Sequence, residues 1–396
     1  MASLQNIEEP PRSPKQGFAL LALGFRPFYM LASVFAALSI PLWALQFSGL
    51  LAHPYLSGPL WHAHEMLFGF TLAVIVGFLF TAGRNWTNLP TPTGWKLGAL
   101  AALWIVARIL VLTPYAAAAA VANVAFPLAA AGSLAIPFFK TKNRRNYFFV
   151  GLLVLLAAAA ACIHLSQLGV VEAPAWPAVQ VALDIVLFIL CVMGGRVIPM
   201  FTNNGIPGLN ASKKPALEKL ALGAVLAVLA ADILALQESA LAAITLLAAA
   251  AHLGRWMLWQ PVRTLRVPLV WVLHLAYLWI PIHLALRAAG ALSWVAPSLA
   301  THALTVGAIG GLIIGMMTRT ARGHTGRPLR ADRYEIACYA LVACAALVRV
   351  AVPLFAPAQL VHATLGSAAL WSTGFALYAI RYWPVLSKPR IDGRPG

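Results

Sequence analysis

Twelve runs of mostly apolar residues follow one another along the chain, separated by short stretches rich in Pro, Gly or charged residues. Each run is about as long as the roughly 20 residues that a helix needs to cross a bilayer. Unpaired backbone groups are too costly in hydrocarbon, so each run must be helical. The sequence therefore predicts an all-α polytopic membrane protein with twelve transmembrane helices, over residues 25–47, 61–82, 96–113, 115–139, 147–169, 176–200, 217–236, 239–255, 268–289, 298–318, 334–355 and 359–383.

The amino-acid composition supports the same class. Hydrophobic residues make up 61% of the chain and charged residues 10%, against about 45–50% and about 25% in a soluble domain. Too few polar side chains are present to cover a water-facing surface, which excludes soluble, secreted and disordered proteins. The four cysteines all lie inside apolar runs without a CxxC pair, so we expect neither a disulfide nor covalently attached haem.

The basic residues indicate the orientation of these helices. With the N-terminus inside, the two tails, the even-numbered loops and the adjoining helix ends hold 25 of the 28 Lys and Arg residues. Cytoplasmic loops carry such an excess, so the sequence predicts an N-in and C-in topology. The net charge of +17 follows from these clusters, and no continuous basic face suited to nucleic acid is present. We expect one transmembrane domain over 16–384, a disordered cytoplasmic tail over 1–15 and a second cytoplasmic tail over 385–396.

The predicted topology sorts the ten histidines by depth. His252, His274 and His324 fall toward the cytoplasm. An ionisable residue within a bilayer is a functional candidate, and neutral imidazole is a common metal ligand. The other seven fall at or near outer helix ends or in outer loops: His53, His62, His64, His164, His283, His302 and His362.

The second helix opens with the sequence WHAHEM, from Trp61 to Met66. His62 and His64 should point about 200° apart at about 3.6 residues per turn, so they cannot readily bind one ion together. Two separate centres, or one ligand and one supporting residue, fit this spacing better. Glu65 lies on the same predicted face as His62 and could orient it or accept a proton. The alternative is a histidine pair at the membrane interface with Glu65 in water.

The tenth helix places His302 at its outer end, ahead of Gly307, Gly310, Gly311 and Gly315. Such glycines are typical of close helix packing. They could also provide a flat face for a macrocycle with an axial histidine. The second and tenth helices thus share a histidine-bearing start followed by glycines. This similarity is too weak to define an internal repeat.

Five charged residues lie where the topology does not require them. Arg108, Arg287 and Arg349 fall near outer helix ends, where each could extend to the interface or neutralise a buried carboxylate. Asp184 and Asp232 lie within the sixth and seventh helices. Each could belong to a proton path, to a contact between helices or to a salt bridge.

Several ordered motifs resemble the NnrS family of bacterial membrane proteins, from about Phe25 to Arg330. Nine short segments carry the resemblance. In chain order they are Phe25-Arg26-Pro27-Phe28, Trp61-His62-Ala63-His64-Glu65-Met66, Phe68-Gly69, Asn85-Trp86-Thr87, Leu103-Trp104 with Arg108, Gly194-Gly195-Arg196-Val197-Ile198-Pro199-Met200-Phe201-Thr202, Leu273-His274 with Tyr277, His302-Ala303-Leu304-Thr305-Val306-Gly307 and Gly323-His324-Thr325-Gly326-Arg327. The resemblance implies twelve spans, haem and copper, a link to nitric-oxide metabolism and a place in the bacterial cytoplasmic membrane.

These observations lead to specific expectations for the site. We expect haem b in the outer half of the bilayer, with His64 and His302 as axial ligands and with Arg108 and Arg349 at its propionates. We expect His62 and Glu65 to form a separate copper or proton-handling site, in which Glu65 is the catalytic proton donor. His274 and His324 are further candidate metal ligands.

The function that follows is a haem- and copper-dependent membrane protein that binds nitric oxide and reduces or removes it, with an unidentified electron donor in the membrane. It could be a nitric-oxide reductase-like oxidoreductase. The absence of a His-His dipeptide argues against an ordinary haem–copper oxidase. The alternatives are a proton-coupled or metal transporter, and a haem-bearing electron-transfer or sensor subunit without turnover.

Overall fold

The computed structural model describes residues 17–47 and 55–393, and this part of the chain is helical without a β-strand. The predicted tail over 1–15, His53 and the last three residues lie outside the described residues. Twelve long helices are present in the described part, each within a few residues of a predicted run. They are α1 Phe25–Phe47, α2 Gly58–Thr87, α3 Gly94–Leu110, α4 Ala116–Lys140, α5 Tyr147–Gln167, α6 Trp176–Gly205, α7 Pro215–Ile233, α8 Glu238–Leu258, α9 Pro268–Ala291, α10 Pro297–His324, α11 Arg333–Phe355 and α12 Leu360–Ser387.

Ten of these helices are long and apolar enough to cross a membrane. The other two are α3, which has 17 residues, and α7, whose 19 residues include Glu218, Lys219 and Asp232. An all-helical protein that crosses a membrane several times is therefore confirmed.

Neighbours in sequence are mostly neighbours in space. Each of the helices from α3 to α12 packs against the next, and α12 packs against α1, which closes the bundle. α2 packs against α1 and α4, and α10 packs against α9 and α11. α2 and α10 are consequently surrounded by other helices over most of their length, where side chains meet protein rather than lipid.

Both α2 and α10 change their winding part-way along. A short α-helical start ends at His64 in α2 and at His302 in α10. A π-helical segment follows directly in each case, Glu65–Thr71 in α2 and Ala303–Gly310 in α10, before the α-helix resumes. Such π-helical turns are rare and frequently lie at functional sites. The weak sequence similarity between α2 and α10 is thus accompanied by the same change of winding in their backbones.

The glycines of α10 serve helix packing. A Cβ at Gly307 would overlap the side chain of Trp279 from α9, and one at Gly310 would overlap Trp371 from α12. Protein side chains occupy the face that could have received a macrocycle, so that interpretation of the glycines is wrong. A different face of α10, which includes His302, is left open.

Candidate functional site

One end of the bundle contains a cavity of about 720 Å³. The starts of α2, α6, α10 and α12 and the ends of α1 and α11 surround it, and we call this end the cavity end. Its volume lies within the range of about 300–1,000 Å³ that is usual for ligand pockets. Its walls are mainly apolar, with Ile40, Met66, Leu67, Phe70, Val179, Leu183, Val306, Ile309 and Trp371 among the lining residues.

Three polar side chains in the cavity wall, from α2, α10 and α11, leave atoms available for a ligand. His62 stacks on Trp43, with ring centres 4.8 Å apart, and its buried Nδ1 has no hydrogen-bond partner. Nδ1 of His302 donates to the Ser298 carbonyl oxygen over 2.6 Å, so Nε2 carries the lone pair. Nη1 of Arg349 is buried without a partner. The cavity wall therefore contains imidazole nitrogens and a guanidinium nitrogen that are not committed to protein partners.

A second group, the His64 cluster, consists of His64, Glu65, Arg108, Asn123 and His164, all of them buried. Oε1 of Glu65 accepts hydrogen bonds from Nη1 of Arg108 over 2.6 Å and from Nδ1 of His64 over 2.8 Å. Nη2 of Arg108 also donates to the side-chain oxygen of Asn123. The His64 and His164 rings meet edge to face with their centres 5.0 Å apart. Helices α2, α3, α4 and α5 each contribute a side chain to this cluster.

Gly69 allows Arg108 to reach Glu65. A Cβ at position 69 would lie 2.9 Å from Nη1 of Arg108, so a larger residue would push the guanidinium away. Nε1 of Trp104 donates to the Gly69 carbonyl oxygen over 3.1 Å, which provides this π-segment carbonyl with a partner. The sequence motifs around Gly69, Trp104 and Arg108 therefore describe one contact between α2 and α3.

Six of the predicted site residues fall into these two groups. His302 and Arg349 lie at the cavity with His62, whereas His64 lies away from it. Glu65 contacts His64 and not His62, because its side chain turns toward Arg108. His62 and His64 diverge as their two-residue spacing predicts. However, His62 lies at the cavity with His302, where His64 was expected.

Arg108 does not line the cavity. Its guanidinium is held by Glu65, so the carboxylate that compensates its charge belongs to the protein. The expectation that Arg108 contacts a propionate stays a prediction, and of the two arginines proposed for that role Arg349 is the one that lines the cavity.

Arg287 and the two intramembrane aspartates form one ion-pair group. Arg287 lies 3.1 Å from Asp184 and 2.6 Å from Asp232. Gln180, which lines the cavity, donates to Oδ1 of Asp184 over 3.0 Å. Of the possibilities left open by the sequence, the structure contains the salt bridge, which connects α6, α7 and α9.

His274 and His324 lie away from the cavity. Nε2 of His274 is 2.8 Å from the hydroxyl of Thr202. The His324 ring lies 5.7 Å from the ring of Phe25, which brings the first and last matched motifs together. Within the described residues, no group of three or more His, Cys, Asp or Glu side chains is arranged to hold a metal ion. Neither histidine therefore belongs to a conventional multi-ligand site in this part of the chain.

The glycine motif in the second half of α6 supports packing between helices. Gly194 lies against Tyr277, and a Cβ at Gly195 would overlap the Arg255 guanidinium. Arg255 in turn pairs with Glu218 over 2.8 Å. This motif therefore stabilises contacts among α6, α7, α8 and α9.

His164 is the residue of the His64 cluster that the sequence motifs miss. It belongs to none of the matched segments, and its side chain reaches His64 only because α5 packs beside α4 and α2 contacts both α1 and α4. The signal available in the sequence was its predicted depth, which is the same as that of His62, His64 and His302.

Residues 19–390 match the family model described as NnrS protein. The chain belongs to the NnrS family. The matched part of this NnrS chain includes all twelve helices, the cavity and the His64 cluster. Among proteins of curated function, none matches the sequence.

Proposed function

We propose that this NnrS-family chain is a haem- and copper-dependent membrane protein of nitric-oxide metabolism, which binds nitric oxide and reduces or removes it at a site within the bilayer. Family membership supports the link to nitric oxide. The observation that carries the proposal is the apolar cavity whose wall contains His62, His302 and Arg349.

The residues at the cavity fit haem b. Haem is a flat, largely apolar ring with two carboxylates and an iron that accepts imidazole nitrogen. The cavity offers apolar walls, the Nε2 lone pair of His302, the unpartnered Nδ1 of His62 and the unpartnered Nη1 of Arg349. We propose that His62 and His302 hold the iron and that Arg349 pairs with a propionate. Bound haem would supply an iron centre that exchanges electrons and binds nitric oxide.

The protein side chains would hold this ligand in place and exclude water. The hydrogen bond from His302 to the Ser298 carbonyl fixes both the orientation and the tautomer of the imidazole. Stacking against Trp43 restricts the His62 ring. Met66 and Phe70 contribute to the apolar wall of the cavity, which an uncharged diatomic gas can reach through the hydrocarbon.

The proposed topology places the cavity end on the outer side. It comprises twelve spans with both termini inside, in the bacterial cytoplasmic membrane. The distribution of Lys and Arg supports this orientation. An electron donor in the membrane would complete the reaction.

The ion-pair group weakens the alternative of a proton-coupled transporter. That alternative depended on Asp184 and Asp232 as free intramembrane carboxylates. Both contact Arg287, so neither carboxylate is free, and this one guanidinium balances one of the two charges.

The test is the absorption spectrum and haem content of the purified protein. The wild type should show a Soret band that shifts when nitric oxide is added, and the His62→Ala and His302→Ala variants should each lose most of the haem. His283→Ala is the matched control, because His283 is buried and hydrogen-bonded to the Ala300 carbonyl but does not line the cavity. Full haem content in both cavity variants would exclude this haem site, and a wild type without a Soret band would exclude haem-based function.

A further inference from the structure

Two buried imidazoles of the His64 cluster are in contact, and each has a nitrogen without a hydrogen-bond partner. His64 is 0% exposed and His164 is 1% exposed. Their ring centres are 5.0 Å apart at an interplanar angle of 75°. Nε2 of each ring is buried and has no hydrogen-bond partner. Buried polar atoms are normally satisfied, so a pair of such atoms on adjacent rings requires an explanation.

The hydrogen bond at Nδ1 fixes the tautomer of His64. Oε1 of Glu65 lies 2.8 Å from Nδ1 of His64, and the same oxygen accepts from Nη1 of Arg108 over 2.6 Å. The ion pair with Arg108 keeps Glu65 ionised, so its oxygens only accept and Nδ1 of His64 donates. Nε2 of neutral His64 therefore carries a lone pair.

Tyr55 fixes the tautomer of His164 in the same way. The Tyr55 hydroxyl donates its one hydrogen to the His164 carbonyl oxygen over 3.2 Å. Nδ1 of His164 is also 3.2 Å from this hydroxyl oxygen and donates to it in the tautomer that satisfies both contacts. Nε2 of His164 consequently carries a lone pair as well. Each ring is thus oriented through Nδ1 by a neighbouring oxygen, as is usual for metal-bound histidines.

The spacing of the rings suits a shared ion. With a metal–nitrogen distance of about 2.0–2.1 Å, an ion bound to one nitrogen of each ring allows ring centres up to about 6 Å apart. The observed 5.0 Å lies within that reach. A cation would also satisfy both lone pairs, which no donor in the described residues does.

The donor set and the local charge select the ion. Zn²⁺ takes four ligands, and Mg²⁺ and Ca²⁺ take oxygen ligands, whereas Cu(I) is stable with two imidazoles. Glu65 and Arg108 compensate each other, so the site would acquire the charge of the ion. The cost of burying an ion rises with the square of its charge, which favours a monovalent ion over a divalent one.

We infer that His64 and His164 form a two-coordinate Cu(I) site, separate from the cavity and oriented by Glu65 and Tyr55. This inference locates the copper of the proposed function on residues of this chain, and it does not depend on haem. Glu65 is here a positioning residue: it holds the His64 ring in one tautomer and is itself held by Arg108.

The experiment is an anaerobic titration of the metal-free purified protein with Cu(I) against a competing chelator, with Zn²⁺ titrated in parallel. The wild type should bind one Cu(I) that His64→Ala and His164→Ala each lose or bind at least about tenfold more weakly. His283→Ala should bind as the wild type does, because His283 also has a buried, unpartnered Nε2 but has no second imidazole beside it in the described structure. Unchanged Cu(I) binding in both cluster variants, or equal preference for Zn²⁺, would overturn the site.

X-ray absorption of the copper-loaded wild type gives a test that does not rely on variants. Two imidazole nitrogens and no further ligand are expected at the metal, and three or more ligands would refute two-coordinate Cu(I). Haem content is recorded in the same samples. Loss of copper from His64→Ala and His164→Ala in a protein that never binds haem would support the copper site and refute the proposed haem function.

Discussion

Glu65 shows how one buried carboxylate can satisfy two neighbours from different helices. Its Oε1 accepts from both Arg108 and His64, and its side chain is fully buried. A carboxylate in hydrocarbon is tolerated only with such compensation. The contact therefore connects α2 to α3 and also fixes the His64 ring, so stability and the proposed copper binding depend on the same residue.

Removing one member of this pair should cost more than removing both charges. We expect Arg108→Gln and Glu65→Gln each to lower the free energy of unfolding by about 3–5 kcal/mol, because each leaves a buried charge without its partner. The double variant should recover a substantial part of that loss. Unfolding of the three variants in mixed detergent measures this cycle. Additive losses in the double variant would contradict the coupling.

Only part of this arrangement could be predicted from the sequence. The two-residue spacing of His62 and His64 determines that they diverge, because helical geometry is local. Which of the two faces the cavity depends on how α2 is rotated among its neighbours, and that is a property of tertiary packing. The position of His164 depends in the same way on how α5 packs, so no local pattern marks it.

At the scale of helices, the apolar runs predict well which helices form and approximately where each one ends. α1 begins where the sequence predicts, whereas α10 continues to His324, beyond the predicted end at 318. The last turns of α10 are polar and pack against protein, so a search for apolar runs underestimates the length of this helix. The π-helical segments had no reliable signal, because a π-helical turn differs from an α-helical turn by one residue and not by composition.

The winding of α10 should control the direction of His302. Inserting one alanine after Gly311, where the α-helix has resumed, would rotate the turn that carries His302 by about 100° relative to the rest of α10. His302 would then leave the cavity, and we expect the haem content to fall at least about tenfold. One alanine inserted after Ser293, in the turn before α10, is the control, because it lengthens the chain without changing the winding of the helix. A haem content equal to wild type after the insertion at Gly311 would show that His302 does not hold the ligand.

The whole molecule has polar groups concentrated at two ends with different chemistry. Most Lys and Arg residues lie at helix ends opposite the cavity end, where Arg255, Arg322 and Arg390 make ion pairs. The cavity end has fewer basic residues and the buried histidines. This asymmetry was predictable, because it follows from counting charges between apolar runs, whereas the cavity itself arises only when six helix ends meet.

Reporter fusions test this orientation. Alkaline phosphatase fused after Pro114, between α3 and α4, should be active, because that loop is predicted to lie outside. The same enzyme fused after Lys142, between α4 and α5, should be inactive, and a fluorescent protein at the C-terminus should be fluorescent. The opposite pattern would reverse the proposed topology and place the cavity end toward the cytoplasm.

The unpartnered guanidinium of Arg349 links the lifetime of the protein in the cell to the supply of its ligand. Among the three arginines near this end of the bundle, Arg108 and Arg287 have carboxylate partners within the chain, whereas Arg349 has none among the described residues. On the proposed function, haem provides the missing anion and binds only the folded state, which raises the stability of that state. Newly made chains that wait for haem therefore unfold more often and are degraded faster, so haem synthesis would set how much of this protein accumulates.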